Sequence, residues 1–248
     1  MKDKILLLLS LLFFVHSAWA QIASGKVTYK VEADESMMEE ILKDDQFSDQ
    51  LKSHLRIMFS NQIKTLPYLF YQIEFNSKES FFKKMESMAT DSGFDLSRTA
   101  GNVGVEGTYY HSLDEDKSYH QVNTLGNDIV VINNISDLDW KITNETKTIQ
   151  GYVCYKATAE FIPDFGKGEV ATAWFTKDLP FQFGPAFYAG LPGLILEVKQ
   201  GYYTFYADDI NLSKREKKIK KPKKGRIIEL NNFKEEQDRM KRSYIKAH

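Results

Sequence analysis

Apolar and polar residues alternate along most of this chain, and the period changes in two places. Gly25-Lys26-Val27-Thr28-Tyr29-Lys30-Val31 sets Val27, Tyr29 and Val31 on one side of an extended segment, the period of two that a half-buried strand requires. Tyr68 to Phe75 repeats it with Tyr71, Ile73 and Phe75. Thr108 to Leu113 and Ser118 to Thr124 flank the turn-like Asp114-Glu115-Asp116-Lys117. Ile129 to Ile132, Trp140 to Glu145, Thr148 to Phe161, Glu169 to Thr176, Gly193 to Lys199 and Tyr202 to Asn211 are further predicted strands. The period shifts to three and four between residues 36 and 64, through Met37, Ile41, Leu42 and Phe47, then Leu51, Leu55, Met58 and Phe59. That spacing predicts one or two amphipathic helices, opened by Ser36 with Glu39 and Glu40 behind it. A second helical stretch, Asn232 to Ile245, carries Phe233, Met240 and Tyr244. Residues 78 to 102 read as a polar loop with one helical turn around Phe81 to Met88.

Many short strands at close spacing predict antiparallel pairing rather than a βαβ array. The fold class is therefore mainly β, a β-rich α+β domain. One large, curved antiparallel sheet of half-barrel character is expected, with the helical insertion on one side and a short C-terminal helix.

Composition supports a folded chain. At 248 residues with 42% hydrophobic and 27% charged positions, there is enough apolar surface for a real core. The one cysteine, Cys154, cannot form an internal disulfide. It lies in an alternating strand with no histidine or helix start nearby to activate it, and reads as a buried apolar side chain. The first twenty residues have the three parts of a secretory signal peptide: Lys2 and Lys4, an apolar run from Ile5 to Val15, and Ala18-Trp19-Ala20 before Gln21. The expected organisation is thus a signal peptide at 1–20, a single β-rich domain at 21–212, and a basic segment with a helix at 213–248. Periplasmic or secreted localisation follows, and no later apolar run suits a membrane span.

Charge is unevenly placed. Residues 21–212 hold 17 Lys and Arg against 28 Asp and Glu, whereas residues 213–248 hold 14 against 5. Lys214 to Arg226 packs nine cations into thirteen positions. Lys217, Lys218, Lys220 and Lys221 are candidates for weak contact with an anionic membrane surface. The plainer expectation is a solvated segment that counterbalances the acidic body; if it folds back, its partners are expected to be acids such as Asp44, Asp45 or Asp49. An exported chain has little occasion to meet nucleic acid, so that partner is not expected.

Two clusters could carry chemistry. If the Asp114–Lys117 turn closes symmetrically, His111 faces His120 across a hairpin, ~5 Å apart at Cβ. That pair is the nucleus of a metal site if a carboxylate completes it. The second is Gly190-Leu191-Pro192-Gly193-Leu194-Ile195 with Trp174 upstream. Its two glycines and proline suit either a packed corner feeding a buried strand or a rigid lip whose Gly190 and Gly193 amides are offered to a ligand. No Gly-x-Ser-x-Gly, His-Glu-x-x-His or glycine-rich nucleotide loop occurs, and no motif implies a cofactor or a catalytic set.

Ile149-Gln150-Gly151-Tyr152, Ala173-Trp174-Phe175-Thr176, Gly184-Pro185 and the unsubstituted hexapeptide at 190–195 resemble the GLPGLI family of exported proteins from Bacteroidota-type bacteria. The resemblance extends to the leader and the Gly25 to Tyr29 strand. It implies a fold and an exported compartment, and it assigns no catalytic residue. The function expected on these grounds is a non-catalytic envelope protein that binds an apolar or amphipathic ligand, or a protein partner, on the concave face of the sheet. The alternative is a metal-dependent hydrolase or metal-binding protein built on His111 and His120.

Overall fold

The computed structural model describes residues 22–86, 96–124, 126–161, 169–222 and 225–247. Residues 1–20, where a signal peptide is expected, lie outside them. Twelve strands form one open sheet in the order β12-β6-β5-β4-β3-β2-β1-β11-β10-β9-β8-β7. The strands are β1 (Ser24–Ala33), β2 (Phe70–Asn76), β3 (Glu79–Lys84), β4 (Thr108–Ser112), β5 (Lys117–Thr124), β6 (Asn127–Asn134), β7 (Lys141–Ile149), β8 (Tyr152–Phe161), β9 (Glu169–Thr176), β10 (Leu194–Gln200), β11 (Tyr203–Ser213) and β12 (Arg226–Glu229). Helices α1 (Glu35–Leu42), α2 (Asp49–Thr65), α3 (Leu96–Asn102) and α4 (Leu230–Ala247) complete the fold.

Strand β1 joins two wings. It pairs antiparallel with β2 and, over ten residues, with β11. Strands β2 to β6 form one meander and β7 to β11 the other. Among the named pairings only β12 with β6 is parallel, so the sheet is mixed where the sequence predicts pure antiparallel order. The reason is the return of the chain after residue 213: Ile227 and Ile228 extend beside Val130 and Val131, and α4 then lays Leu230 and Phe233 on a small core of Ile129, Val131 and Ile228. The segment from 213 onward therefore contributes an edge strand to the sheet.

The alternation of the sequence decides the main core. Val27, Tyr29, Tyr71, Ile73, Phe75, Phe82, Phe175, Val198 and Phe205 are all essentially unexposed, each such burial contributing about 1.5–3 kcal/mol. Two covers lie on that face. Helices α1 and α2 supply Met38, Leu42 and Phe59. The segment joining β9 to β10 supplies Leu179, Phe181, Phe183, Tyr188 and Leu191, with the Phe181 and Phe75 rings 4.6 Å apart. The inward face of the sheet is filled by the protein's own side chains.

Three local expectations change. Glu79–Lys84 is a strand with Phe82 in the core, where a loop with a helical turn was expected; one buried aromatic among polar neighbours is a weak alternation. The strand expected over Thr148 to Phe161 is divided by a turn at Gln150 and Gly151, both at positive φ, which makes β7 and β8 a hairpin. Helix α1 starts at Asp34, whose carboxylate accepts from the Met37 amide, rather than at Ser36.

A candidate binding cleft

Helix α2 begins at Ser48, which caps the Leu51 amide. Its buried stripe runs through Phe59, Gln62 and Thr65. A polar side chain therefore occupies a core position. The Gln62 residue is only 3% exposed. Its Oε1 accepts from the Tyr203 hydroxyl at 2.8 Å, and burial pushes the Tyr203 phenol up in pKa, keeping it a neutral donor. Its Nε2 has no hydrogen-bond partner. Such an orphan amide costs about 1–3 kcal/mol unless something occupies the space in front of it.

Gln62 is also among the residues lining a cleft of about 700 Å³, inside the ~300–1,000 Å³ range of small-molecule sites. Leu55, Ile57 and Met58 of α2 form its apolar wall, and Gln62, Thr65 and Thr99 lie deepest, all three buried. Thr65 and Thr99 share a hydrogen bond of 2.8 Å between hydroxyls, pinning α2 to α3. Ile57 lines the cleft while 64% exposed. Sequence reasoning missed this site, although one signal was available: a glutamine seven residues after Leu55, in register with an apolar stripe.

The hexapeptide is a packed corner. Leu191, Leu194 and Ile195 are fully buried, and the two amides proposed for a ligand are already engaged. Gly190 N donates to Gln182 O at 3.0 Å, and Gly193 N to Leu191 O at 2.8 Å. Gly190 has φ +91°, and a Cβ on Gly193 would sit 2.1 Å from Thr176 O. Both glycines are thus required by the backbone. Tyr29 donates its hydroxyl to Ile195 O at 2.5 Å and Trp140 its indole to Ala189 O at 2.9 Å. Only Pro192 and Gly190 of the six are exposed. Trp174 sits under the Lys147 ammonium, 4.5 Å from its ring centre, and Lys147 is paired with Glu197 at 2.7 Å.

The histidine pair does not form. The tight turn occupies residues 113–116, with Asp116 at positive φ, one residue earlier than a symmetric closure of 114–117. His111 therefore faces Ser118, and His120 faces Tyr109, on which its ring stacks at 4.2 Å. His111 is fully buried, with Nδ1 2.9 Å from Ser80 Oγ and Nε2 unpartnered. Burial lowers its pKa to about 4, so it is neutral at pH 7. Among the described residues no group of three or more His, Cys, Asp or Glu is placed to hold a metal ion. Cys154 is fully buried, and burial raises its thiol pKa to about 11, the reverse of an activated nucleophile.

The basic segment folds back, though not on the acids expected. Lys217 pairs with Glu74 at 2.6 Å and Lys221 with Glu115 at 2.6 Å, and the Lys221 ammonium lies 4.1 Å from the Tyr119 ring centre. Ser24 Oγ and Asn76 Nδ2 donate to the carbonyls of Arg215 and Lys217. The strap so formed crosses β1, β2 and β5 before β12. Two of the four candidate membrane-facing lysines are therefore committed to ion pairs, while Lys218 and Lys220 are exposed. Lys223 and Lys224 lie outside the described residues.

Comparison with known proteins adds fold likeness and little else. The model of a family described as "Protein of unknown function (Porph_ging)" matches residues 163–197, which include Trp174 and the hexapeptide. Among curated proteins none matches the chain. A solved structure of PNGF-II in a C2 space group is similar over 86% of this chain, with a TM-score of 0.53 and 13% identity. A second, in a P21 space group, gives 0.49 and 15%. This chain spans about a third of the length of those proteins, 32% in each case, and the likeness to the first, at 13% identity, is one of fold alone.

Proposed function

We propose that this chain is an exported, non-catalytic envelope protein that binds an apolar or amphipathic ligand, and that the α2–α3 cleft is its site. The observation that carries the reading is a cleft whose apolar wall is Leu55, Ile57 and Met58, with Ile57 left 64% exposed. Export is supported by the leader-like first twenty residues and by the resemblance to the GLPGLI family. The likeness in the hexapeptide region supports shared packing, since that region is a corner and not a pocket. Binding in place of catalysis agrees with the titratable groups: the buried His111 and Cys154 are each driven towards their neutral forms, and neither lines the cleft.

The test is binding of the neutral fluorophore N-phenyl-1-naphthylamine to the purified chain. Fluorescence should rise saturably, and Ile57→Glu and Met58→Glu should each weaken binding at least about tenfold by placing a charge on the apolar wall. Absence of saturable binding, or binding indifferent to both substitutions, sinks the proposal.

A further inference from the structure

Helix α4 carries one apolar stripe, and the protein uses only its first part. Leu230, Phe233, Met240 and Tyr244, with Gln237 between them, recur at spacings of three and four, which sets them on one side of a helix. Leu230 and Phe233 pack on Ile129, Val131 and Ile228, and Arg226 of β12 holds Glu236 at 2.7 Å. Beyond that tie the stripe runs out into solvent. Met240 is 46% exposed, and Arg239, Arg242 and Ser243 around it are exposed as well. The charge changes at the same point. Glu235, Glu236 and Asp238 lie in the first half, whereas residues 239–247 hold Arg239, Lys241, Arg242 and Lys246 and no acid. The helix macrodipole draws cations to the last turn only, and Arg239 and Arg242 precede that turn.

We propose that the distal half of α4 docks on an anionic phospholipid surface, with Arg239 and Arg242 drawn to the lipid phosphates and Met240 entering the headgroup boundary. The inference rests on the chain being exported to the envelope, and it is independent of the cleft. A helix of low overall hydrophobicity, cationic on its polar face and apolar on a narrow stripe, has the composition of an interfacial helix. Charge disfavours a second copy of the chain as the occupant, since pairing these segments would set four cations against four. The strap is the poorer surface, because Lys217 and Lys221 are already paired with Glu74 and Glu115. The attraction is screened beyond about 10 Å at 0.1 M salt, so the contact is reversible.

Co-sedimentation of the purified chain with vesicles tests it, using equimolar phosphatidylglycerol and phosphatidylcholine against phosphatidylcholine alone. At low ionic strength the chain should partition at least about tenfold more strongly onto the anionic vesicles, and the preference should vanish in molar salt. Arg239→Gln combined with Arg242→Gln, both at exposed positions, should weaken anionic binding roughly tenfold and leave the urea midpoint unchanged. Met240→Asp should weaken it severalfold. Lys218→Gln combined with Lys220→Gln, on the strap, should leave it as it is. Equal binding to the two vesicles, no binding at low salt, or binding lost with the strap lysines but kept without the two arginines overturns the assignment. The cleft is decided separately by the naphthylamine titration, so either reading can fail alone.

Discussion

The Gly190–Ile195 corner and the α2–α3 cleft are opposite solutions to burying a chain. In the corner, the amides of Gly190, Gly193, Leu194 and Ile195 all donate to backbone carbonyls, and three aliphatic side chains are sealed. Nothing is left over for a guest. In the cleft, a buried amide has a free donor and an isoleucine faces solvent. The corner holds the most distinctive hexapeptide of the sequence, and the cleft holds residues that no motif singles out. A distinctive sequence can thus mark a demanding backbone, while a binding surface is made from side chains that tertiary packing leaves incomplete.

The contrast breaks first at Gly193. Its Cβ position lies 2.1 Å from a backbone oxygen, which a small rotation cannot relieve. Gly193→Ala should therefore cost at least about 3 kcal/mol, read as a lower urea midpoint with an unchanged slope. Leu191→Ala, a cavity in the same corner, should cost about 2–5 kcal/mol. A Gly193→Ala variant as stable as the parent means that the corner is loose, and the distinction between the two regions falls.

His111 sharpens the contrast from the rear of the corner, where its ring lies 6.2 Å from Phe183. Its folded pKa is about 4 against 6.5 for the free side chain, so the unfolded chain takes up the proton first. Stability from this residue is complete above pH 6.5, falls as pH drops towards 4, and then levels off. The total loss is about 3 kcal/mol. Denaturation of parent and His111→Gln at pH 7.5 and pH 4 isolates it, since carboxylate titration is common to both proteins. Equal pH dependence in the two would place water against Nε2 and make this a second wet site.

How much of this was legible follows from where the information lies. The alternation of Val27, Tyr29 and Val31, and of Tyr71, Ile73 and Phe75, fixes which face is inward, because a one-residue slip would turn the whole set outward. The helical period over 36–64 and 232–245 reappears in α1, α2 and α4 for the same reason. Hairpin register is different. It depends on one left-handed residue, Asp116, and moving the turn by one position separates His111 from His120. The β12 strand is four residues long beside a run of lysines, too short for a period to declare itself. The cleft was illegible because it needs α3, which read as loop, brought against α2 from 34 residues away through Thr65 and Thr99.

The cleft side of the comparison is tested by removing its unpaired donor together with the group that holds it. Gln62→Leu alone takes the Gln62 acceptor from the Tyr203 hydroxyl, which also meets Tyr202, and should destabilise by about 1 kcal/mol. Tyr203→Phe alone leaves the whole Gln62 amide unpaired, with a similar cost. The double variant removes the Gln62–Tyr203 pair and the unpaired amide together and loses only the Tyr203 contact with Tyr202, so the protein should stay within about 1 kcal/mol of the parent. A double variant that loses more than about 2 kcal/mol would show that Gln62 is packed as tightly as Leu191, and that the cleft is core.

The smallest effect belongs to the basic strap, which lies between the two extremes because it is ordered yet exposed. Lys221 meets Glu115 and the Tyr119 ring while both partners of the ion pair remain more than a third exposed, at 37% and 45%. An ion pair in that setting is worth no more than about 1 kcal/mol and is screened by salt. Lys221→Gln should lower the urea midpoint slightly at low ionic strength and negligibly in molar salt, and Glu115→Gln should do the same. The backbone contacts from Ser24 and Asn76 to the strap survive both substitutions, so β12 should keep its place beside β6, with amide exchange of Ile228 unchanged. Fast exchange at Ile228 in either variant would mean that the charges, and not the backbone anchors, hold the strap down. Lys218 and Lys220 would then be freed, together with Lys221 in Glu115→Gln, and tighter binding of the variant than of the parent to anionic but not neutral vesicles would mark the strap as a releasable surface.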